Sequence, residues 1–182
     1  GHGKSETIKQ IPRVIAKSMY FLGNNATSAG IGIGMVKMDN NTSVPQGGPL
    51  VICSPHGVVG IDELDKMHAE DRRSLLSSME QQVVTKVVAG ATLSLPSQVS
   101  IIAAANPKFG EWDDSHGIVE NINFEAYLLT RFDIVWCSVK SNSIKKQAIA
   151  AKILGLAPIT SEQTLTPLLS EGELLQYINY CK

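Results

Sequence analysis

The stretch Val58-Val59-Gly60-Ile61-Asp62-Glu63 joins a short apolar run to two consecutive carboxylates. An unbroken apolar run of this length is typical of a strand that is covered on both faces, as in a parallel sheet. In open α/β sheets, ligands bind at the carboxyl ends of the strands. The stretch therefore predicts a buried strand that delivers Asp62 and Glu63 to a ligand-binding edge. The alternative is a strand that ends in charged residues because it meets solvent there.

Further apolar runs on both sides of this stretch predict the rest of the sheet. The predicted strands cover residues 18–22, 50–52, 100–105 and 132–139. Helical periodicity is present at residues 69–82 and 142–156. Two segments have the pattern of β-hairpins, residues 30–48 with a tip at Asp39-Asn40-Asn41 and residues 83–95 with a turn at Ala89-Gly90. Strands that alternate with helices predict a three-layer α/β sandwich with a mostly parallel sheet.

Composition limits the class of protein. The chain has 182 residues, 43% of them hydrophobic, and a net charge of −1. This length favours a single main core, and the charge balance excludes a global basic field, so any contact with nucleic acid must be local. Cys53, Cys137 and Cys181 lack C-x-x-C spacing, which argues against a zinc site or a disulfide framework. No apolar run approaches the roughly 20 residues of a membrane span, so we expect an intracellular protein without a membrane partner.

The first residues, Gly1-His2-Gly3-Lys4-Ser5, match the second half of the phosphate-loop motif G-x-x-x-x-G-K-[ST]. Backbone N–H groups in such a loop surround the phosphates, the lysine reaches the β and γ oxygens, and the hydroxyl holds magnesium. A helix through Ile8, Ile11 and Ile15 follows, in which Pro12 predicts a kink or an early stop. A bare Gly-Lys-Ser also occurs in solvated loops, so the motif alone leaves that alternative open.

Three more polar residues complete the candidate site. Asp62 is suited to position magnesium through its water shell, and Glu63 to polarise the attacking water. Asn106 follows the apolar run Ile101-Ile102-Ala103-Ala104-Ala105 and is suited to orient that water, although Asn-Pro is also a common turn. Arg131 lies between an apolar helix and an apolar strand, where it can act as an arginine finger on a neighbouring subunit or form a local ion pair with Asp133.

The order phosphate loop, acidic strand end, strand-tip Asn and boundary Arg is that of the AAA+ ATPases. The short sequence motifs at residues 60–67, 79–82, 103–107 and 129–133 resemble those of the minichromosome maintenance family of DNA helicases. Within that family, Gly23-Asn24, Gly60 and Leu95-Pro96 are most similar to the eighth, recombination-associated paralogue. The resemblance implies a P-loop AAA+ fold over residues 1–157, followed at residues 158–182 by a linker and the first helix of the lid subdomain.

The same resemblance implies the function and the roles of its residues. ATP and Mg²⁺ would bind Gly1, His2, Gly3, Lys4, Ser5 and Asp62, with Ser5 and Asp62 at the metal and Glu63, Asn106 and Arg131 in catalysis. The partners implied are DNA and other subunits of a homo- or hetero-hexameric ring, in the nucleus, with roles in replication, repair or meiotic recombination. Both hairpins would face DNA in the ring channel, through Lys37 and Lys86.

Departures from the family pattern leave a second reading open. The family's lysine before the Ala-Gly turn is Val88 here, with Lys86 roughly 7 Å farther back along the strand. Pro96-Ser97-Gln98 replaces the usual Asn-Ala-Arg, and Ala16-Lys17 replaces Pro-Arg. The alternative function is an ATP-binding structural clamp without motor activity. The resemblance implies a further strand before the phosphate loop and further lid helices, so we expect a fragment that is cut short at both ends and inactive alone.

Overall fold

The computed structural model describes residues 3–39, 42–88, 90–137 and 168–181. The helices of these residues are α1 (Lys4–Lys9), α2 (Ile11–Val14), α3 (Ser28–Ile31), α4 (Pro49–Ile52), α5 (Ala69–Gln81), α6 (Ile118–Asn121), α7 (Ala126–Leu129) and α8 (Glu171–Tyr180). The strands are β1 (Ser18–Leu22), β2 (Ile33–Lys37), β3 (Ser43–Gly47), β4 (Gly57–Asp62), β5 (Val83–Val88), β6 (Ala91–Pro96) and β7 (Val99–Ala103). Short 3₁₀ turns occupy Gly23–Asn25 and Leu64–Lys66. In this part of the chain no helix is both long and apolar enough to cross a membrane.

The predicted parallel sheet is present, with β4 as its middle strand. Its order is β1-β4-β7, and both pairings are parallel. Leu22 pairs with Asp62, and Ile61 pairs with Ala103, so the three strands end at the same edge. This register brings the carboxyl ends of the strands together, which is the edge at which α/β sheets bind ligands.

Alternate residues of β4 face two separate hydrophobic cores. Val59 and Ile61 belong to the larger core, together with Leu75 of α5 and Leu128 of α7. On the other side, Val58 packs against a smaller core formed by residues of α1, α2 and the segment after β7, namely Ile8, Ile11 and Ala104. Because successive side chains of a strand point to opposite faces, β4 separates two helical layers. The predicted three-layer arrangement is therefore confirmed.

Both predicted hairpins are present, but each tip lies partly outside the described residues. β2 and β3 form an antiparallel pair, and Asn40 and Asn41 of the predicted tip are not described. β5 and β6 form the second antiparallel pair. Gly90 after β5 has a φ of 81°, the left-handed conformation that glycine adopts without steric cost, whereas its predicted turn partner Ala89 is not described.

The helix after the phosphate loop stops early, as predicted. α1 ends at Lys9, and α2 begins again at Ile11 with proline in its first turn. Proline suits that position because the first N–H groups of a helix have no partner within it. The helix predicted at residues 69–82 is α5, in which Leu75 is buried and Leu76 and Met79 pack against the same core.

Three strand predictions need correction. Residues 50–52 are helical because Pro49 occupies the first turn and the Gly48 carbonyl accepts the N–H groups of Val51 and Ile52. The strand predicted at 100–105 is β7 (Val99–Ala103), and it is not fully buried, since Ile102 is 45% exposed. Over residues 132–137 the backbone forms no strand, and Ile134 and Trp136 are exposed. The apolar pattern was misleading because it does not show whether a neighbouring strand is available for hydrogen bonding.

Two reciprocal hydrogen bonds mark the start of the last described helix. Ser170 is the N-cap of α8, and its hydroxyl accepts the N–H of Glu173 while the Glu173 carboxylate accepts the N–H of Ser170. This reciprocal pair is a capping box, which satisfies N–H groups that a helix leaves unpaired at its start. The helix predicted at 142–156 and the linker after Pro158 lie outside the described residues.

Candidate functional site

The phosphate loop leads directly into α1. Gly3 is the N-cap of this helix and has a φ of 72°. Lys4 and Ser5 follow in the first turn, and both are partly buried. Backbone N–H groups at a helix start are free to bind an anion, so this position suits a phosphate ligand. Gly1 and His2, also predicted to bind nucleotide, lie outside the described residues.

Gly60 allows α1 to lie directly on β4. A Cβ at Gly60 would be 2.9 Å from Cγ2 of Ile8 and 3.1 Å from Cδ1 of Ile11. Such contacts are closer than packed carbon atoms normally approach. A side chain at position 60 would therefore push the phosphate-loop helix away from the strand that ends in Asp62. The sequence resemblance singled out Gly60, but its contact partners were not predictable from spacing alone.

Asp62 lies at the end of β4 with only 5% of its surface exposed. One carboxylate oxygen, Oδ1, accepts the N–H of Glu63 at 2.9 Å, and the other, Oδ2, accepts the hydroxyl of Tyr20 at 3.3 Å. Burial raises the pKa of the Tyr20 hydroxyl, and the neighbouring Asp62 carboxylate raises it further. Tyr20 thus fixes the orientation of the buried carboxylate, a contact that the sequence did not predict because β1 and β4 are distant in the chain.

Glu63 has a left-handed backbone conformation, with a φ of 54°. This conformation is unfavourable for a non-glycine residue and is kept only where the surrounding contacts require it. One such contact is the backbone of Gly23, where a Cβ would be 2.5 Å from the carbonyl oxygen of Glu63. The turn Leu64–Lys66 then continues with a bond from the Lys66 N–H to the same Glu63 carbonyl, at 2.9 Å. Gly23 and this turn together set the position of Glu63.

Asn106 follows β7 beside the turn after Glu63. Its backbone N–H donates to Oδ1 of Asp65 at 2.9 Å. Two residues before Asn106, the Ala104 carbonyl accepts the N–H of Leu64 at 2.9 Å. The acidic strand end and the strand-tip asparagine are therefore joined by a side-chain bond and a backbone bond. Asp65 is part of the family-like word at residues 60–67, but its contact with Asn106 was missed.

A single cleft of about 920 Å³ joins these segments. Its lining includes Lys4 and Ser5 of the phosphate loop, Leu64 of the turn after Glu63, and Asn106. Asp62 and Glu63 themselves are not among the lining residues and adjoin the cleft through Leu64. The volume is within the range of roughly 300–1,000 Å³ that is usual for small-molecule sites. The geometry thus places the phosphate loop, the acidic turn and Asn106 around one space.

One wall of the cleft is a loop that Asn121 holds in place. Gly110 and Trp112 of this loop line the cleft. The Asn121 side chain is fully buried, and its amide donates to the carbonyls of Asp113, His116 and Gly117 at 2.9, 3.2 and 3.1 Å. Its own oxygen accepts the Asp113 N–H at 2.9 Å. A buried amide with all these bonds made gives the loop one defined conformation.

Arg131 is not a lining residue of the cleft, although its neighbours Leu129 and Phe132 are, and it forms an ion pair with Glu80 at the end of α5. Its predicted local alternative was an ion pair with Asp133. Near the start of α5, Arg72 binds Glu125 at 2.8 Å, and this contact holds the pKa of the Glu125 carboxyl below its usual range. Contacts from α5 therefore hold both ends of α7. Arg131 lies just after the end of α7, and its side chain is partly exposed.

The two lysines predicted to contact DNA have different environments. Lys37 at the end of β2 is exposed. Lys86 in β5 is partly buried, and its ammonium donates to the carbonyl of Ile33 at 2.7 Å. Lys86 thus bonds one hairpin to the base of the other, whereas the Lys37 side chain extends into solvent.

The oxygen donors of the cleft region fit magnesium chemistry. Ser5 offers a hydroxyl at the start of α1, and Asp62 offers a carboxylate that Tyr20 orients. Among the described residues, no group of three or more His, Cys, Asp or Glu side chains could hold a metal ion. Magnesium with a nucleotide usually needs only one or two protein oxygens, since phosphates and water complete its coordination. A hydroxyl and one carboxylate therefore suit the group that the phosphate loop implies.

Comparison with known proteins relates the whole chain to one family. Residues 1–157 match the family model described as the MCM P-loop domain. DNA replication licensing factor Mcm5 of Drosophila melanogaster is 32% identical over 100% of this chain and 25% of its own length. Probable DNA helicase MCM8 of Oryza sativa subsp. indica is 35% identical over 86% of the chain and 20% of its length.

A further relative, DNA helicase MCM8 of Rattus norvegicus, is 36% identical over 75% of the chain and 16% of its length. The chain thus spans a quarter or less of the length of these relatives. Mcm5 and MCM8 proteins match at similar identity, so the predicted family is confirmed and the eighth paralogue remains a prediction. The family match covers the phosphate loop, the acidic turn, Asn106 and Arg131 together, and the chain belongs to the MCM family of P-loop proteins.

Proposed function

We propose that this chain is the ATP-hydrolysing core of a DNA helicase subunit that works within a ring of MCM-like subunits in the nucleus. ATP hydrolysis would drive movement along DNA in replication, repair or meiotic recombination. The relative named as a DNA replication licensing factor favours replication, and the relative named as a probable DNA helicase favours helicase activity. The recombination or repair role rests on the sequence resemblance to the eighth, recombination-associated paralogue.

One observation carries the proposal. Lys4, Ser5, Leu64 and Asn106 line the same cleft, although they come from three separate parts of the chain. A phosphate loop in a solvated tail would have no reason to face the turn after Glu63. Phosphoryl transfer requires a phosphate loop, a metal-binding carboxylate and a water-activating group around one triphosphate, because the enzyme acts mainly by positioning and by stabilising charge. Asp62 and Glu63 directly precede the lining residue Leu64.

Each residue has a role that its position supports. The N–H groups at the start of α1 and the Lys4 ammonium would hold the phosphates, and Ser5 and Asp62 would hold Mg²⁺. Bound Mg²⁺ supplies positive charge that stabilises the phosphates as they separate. Glu63 accepts a proton from the attacking water, and Asn106 orients that water toward the γ-phosphate. Tyr20 and Gly23 keep Asp62 and Glu63 in place.

Arg131 would complete the site of a neighbouring subunit. It is partly exposed, does not line the cleft of its own chain, and is paired with Glu80 just after the end of α7. An arginine supplied from a second protein raises the rate of phosphoryl transfer by roughly 10³ to 10⁵. A subunit without a neighbour would therefore hydrolyse ATP very slowly.

A second candidate function is an ATP-binding clamp that holds a recombination or repair complex together without moving on DNA. The specific observation in its favour is the engagement of Lys86 with the Ile33 carbonyl. Together with Val88 near the hairpin turn, this contact leaves the second hairpin with less positive charge for DNA phosphates. The clamp binds ATP through the same Lys4 but does not need Glu63 for its role.

Variants of the full-length protein in its ring separate the two functions. Glu63→Gln keeps the size of the side chain but removes the base, so a motor loses about 100-fold or more of its DNA-stimulated ATPase. Lys4→Ala weakens ATP binding itself. Glu70→Gln, an exposed acid at the start of α5, is a matched control that should keep full activity.

The motor proposal predicts that both site variants lose ATPase, unwinding and biological function. If Glu63→Gln retains biological function while Lys4→Ala loses it, the clamp is correct and the motor is wrong. If both variants behave like the wild type, the cleft is not a nucleotide site and both functions fail.

A further inference from the structure

Asp65 is a nearly buried carboxylate directly beside the proposed site. It lies in the turn Leu64–Lys66, and only 6% of its side chain is exposed. Its Oδ1 accepts the backbone N–H of Asn106 at 2.9 Å. Its Oδ2 lies 3.9 Å from the exposed ammonium of Lys66, which is a weak surface contact. Because a buried carboxylate is costly unless it is hydrogen-bonded, the bond to Asn106 is its main local compensation.

This bond lies where the hydrogen bonds between β4 and β7 stop. The last backbone bonds run from the Ala104 N–H to the Ile61 carbonyl at 2.8 Å and from the Leu64 N–H to the Ala104 carbonyl at 2.9 Å. Beyond them, the chain turns away at Asn106-Pro107, and proline has no N–H to continue the ladder. The Asp65 side chain supplies the next acceptor and so extends the connection by one more residue.

We infer that Asp65 is a positioning residue that fixes Asn106 at a set distance from Glu63. Asp65 follows Glu63 by two residues within one short turn. Because its carboxylate binds the backbone N–H of Asn106, the position of Asn106 depends on the position of that turn. The inference rests on the proposed ATP hydrolysis, in which Glu63 and Asn106 act on the same water. A misplacement of about 1 Å among such groups lowers the rate roughly 100-fold.

A double-mutant cycle on full-length protein in its ring tests the inference. Asp65→Ala removes the acceptor, and we expect kcat for ATP to fall about tenfold or more while KM changes less than about twofold. Asp65→Asn keeps an oxygen acceptor and should recover most of the rate. In an Asn106→Ala background, Asp65→Ala should cost no further activity, because the residue it positions is already gone. Equal losses from Asp65→Ala in both backgrounds would overturn the inference.

Hydrogen exchange gives a readout that does not depend on activity. The Asn106 amide, measured in peptides covering residues 104–109, should exchange faster in Asp65→Ala and at the wild-type rate in Asp65→Asn. Unchanged exchange in Asp65→Ala would show that the carboxylate does not hold Asn106. ATPase that does not respond to Glu63→Gln would instead refute the proposed function, and the exchange result would still decide the role of Asp65.

Discussion

The backbone of Gly23 lies against the carbonyl oxygen of Glu63, so closely that a Cβ at Gly23 would be 2.5 Å from that oxygen. Two turns therefore meet without a side chain between them, one after β1 and one after β4. Glu63 has its left-handed conformation at this contact. The position of the proposed catalytic base thus depends on a residue that takes no part in chemistry.

Gly23→Ala should displace the turn that carries Glu63. We expect kcat for ATP to fall about tenfold or more in the full-length ring, with little change in ATP affinity, because the phosphate loop is not touched. Steady-state kinetics and the binding of a fluorescent ATP analogue measure the two effects. Gly117→Ala is a suitable control, since nothing lies within 4 Å of a Cβ at that position. Equal losses in both variants would mean that the Gly23 contact has no special importance.

Gly60→Ala should destabilise the domain. The added methyl group would meet Ile8 and Ile11 at 2.9 and 3.1 Å, and overpacking of this kind costs about 1–3 kcal/mol. Urea unfolding of wild type and variant gives the difference in free energy of unfolding. Gly172→Ala should instead stabilise by about 0.5–1 kcal/mol, because it lies in α8 with nothing within 4 Å of its Cβ. A neutral Gly60→Ala would show that α1 moves freely over β4.

Arg131 and Glu80 test whether the arginine acts between subunits. The pair is partly exposed, so its loss should change stability by only about 0.2–1 kcal/mol. We expect Arg131→Ala to abolish most ATPase of the ring, while Glu80→Gln keeps it. Mixing Arg131→Ala with Lys4→Ala protein should restore some activity, because one intact interface then forms. Absence of recovery at every mixing ratio would contradict a shared site.

Lys37 and Lys86 should contribute differently to DNA binding. Lys37 is exposed, so Lys37→Ala should lower the slope of log affinity against log salt by about 1. Lys86 is bonded to the Ile33 carbonyl, so Lys86→Ala should leave that slope unchanged and increase hydrogen exchange in residues 33–37. Affinity for single-stranded and fork DNA at several salt concentrations measures the slope. A reduced slope in Lys86→Ala would identify this lysine as a second DNA contact.

The loop beside the cleft has a measurable acid–base property. Hydrogen bonds from the Ser115 hydroxyl and amide, then from His116, lower the pKa of Asp113 from 3.8 to about 2. Because the folded state holds this proton less tightly, the stabilisation is present above pH 3.8 and is lost as the pH falls toward 2. Ser115→Ala should raise the pKa toward its ordinary value, as followed by NMR titration of the carboxyl carbon. An unchanged value would rule out Ser115 as the main cause.

The sequence allowed most of the sheet edge to be predicted, because its signals are local. The apolar run before Asp62 is enough to define β4. The strand prediction at residues 50–52 was wrong because a short apolar run suits a helix as well as a strand. Pro49, in the first turn of α4, favours the helix. The strand predicted at 132–139 is absent over residues 132–137. A strand needs a neighbouring strand to bond with, and the periodicity of a sequence does not show whether one is available.

The candidate site was predictable in its residue types but not in its supporting contacts. The sequence motifs identified Lys4, Asp62, Glu63 and Asn106 as candidate site residues. The bonds of Tyr20 to Asp62, Asp65 to Asn106 and Arg131 to Glu80 join residues that are distant in the chain. Such contacts depend on strand order and helix packing, which the pattern of one sequence does not contain.

The bond between Lys86 and Ile33 has a mechanical consequence. Ile33 begins β2, and Val84, two residues before Lys86, packs against Gly32 next to it. The second hairpin is therefore joined along β5, through Val84 and Lys86, to the start of β2 in the first hairpin. A shift of one hairpin should therefore be passed to the other, and we expect the two to move together and not independently.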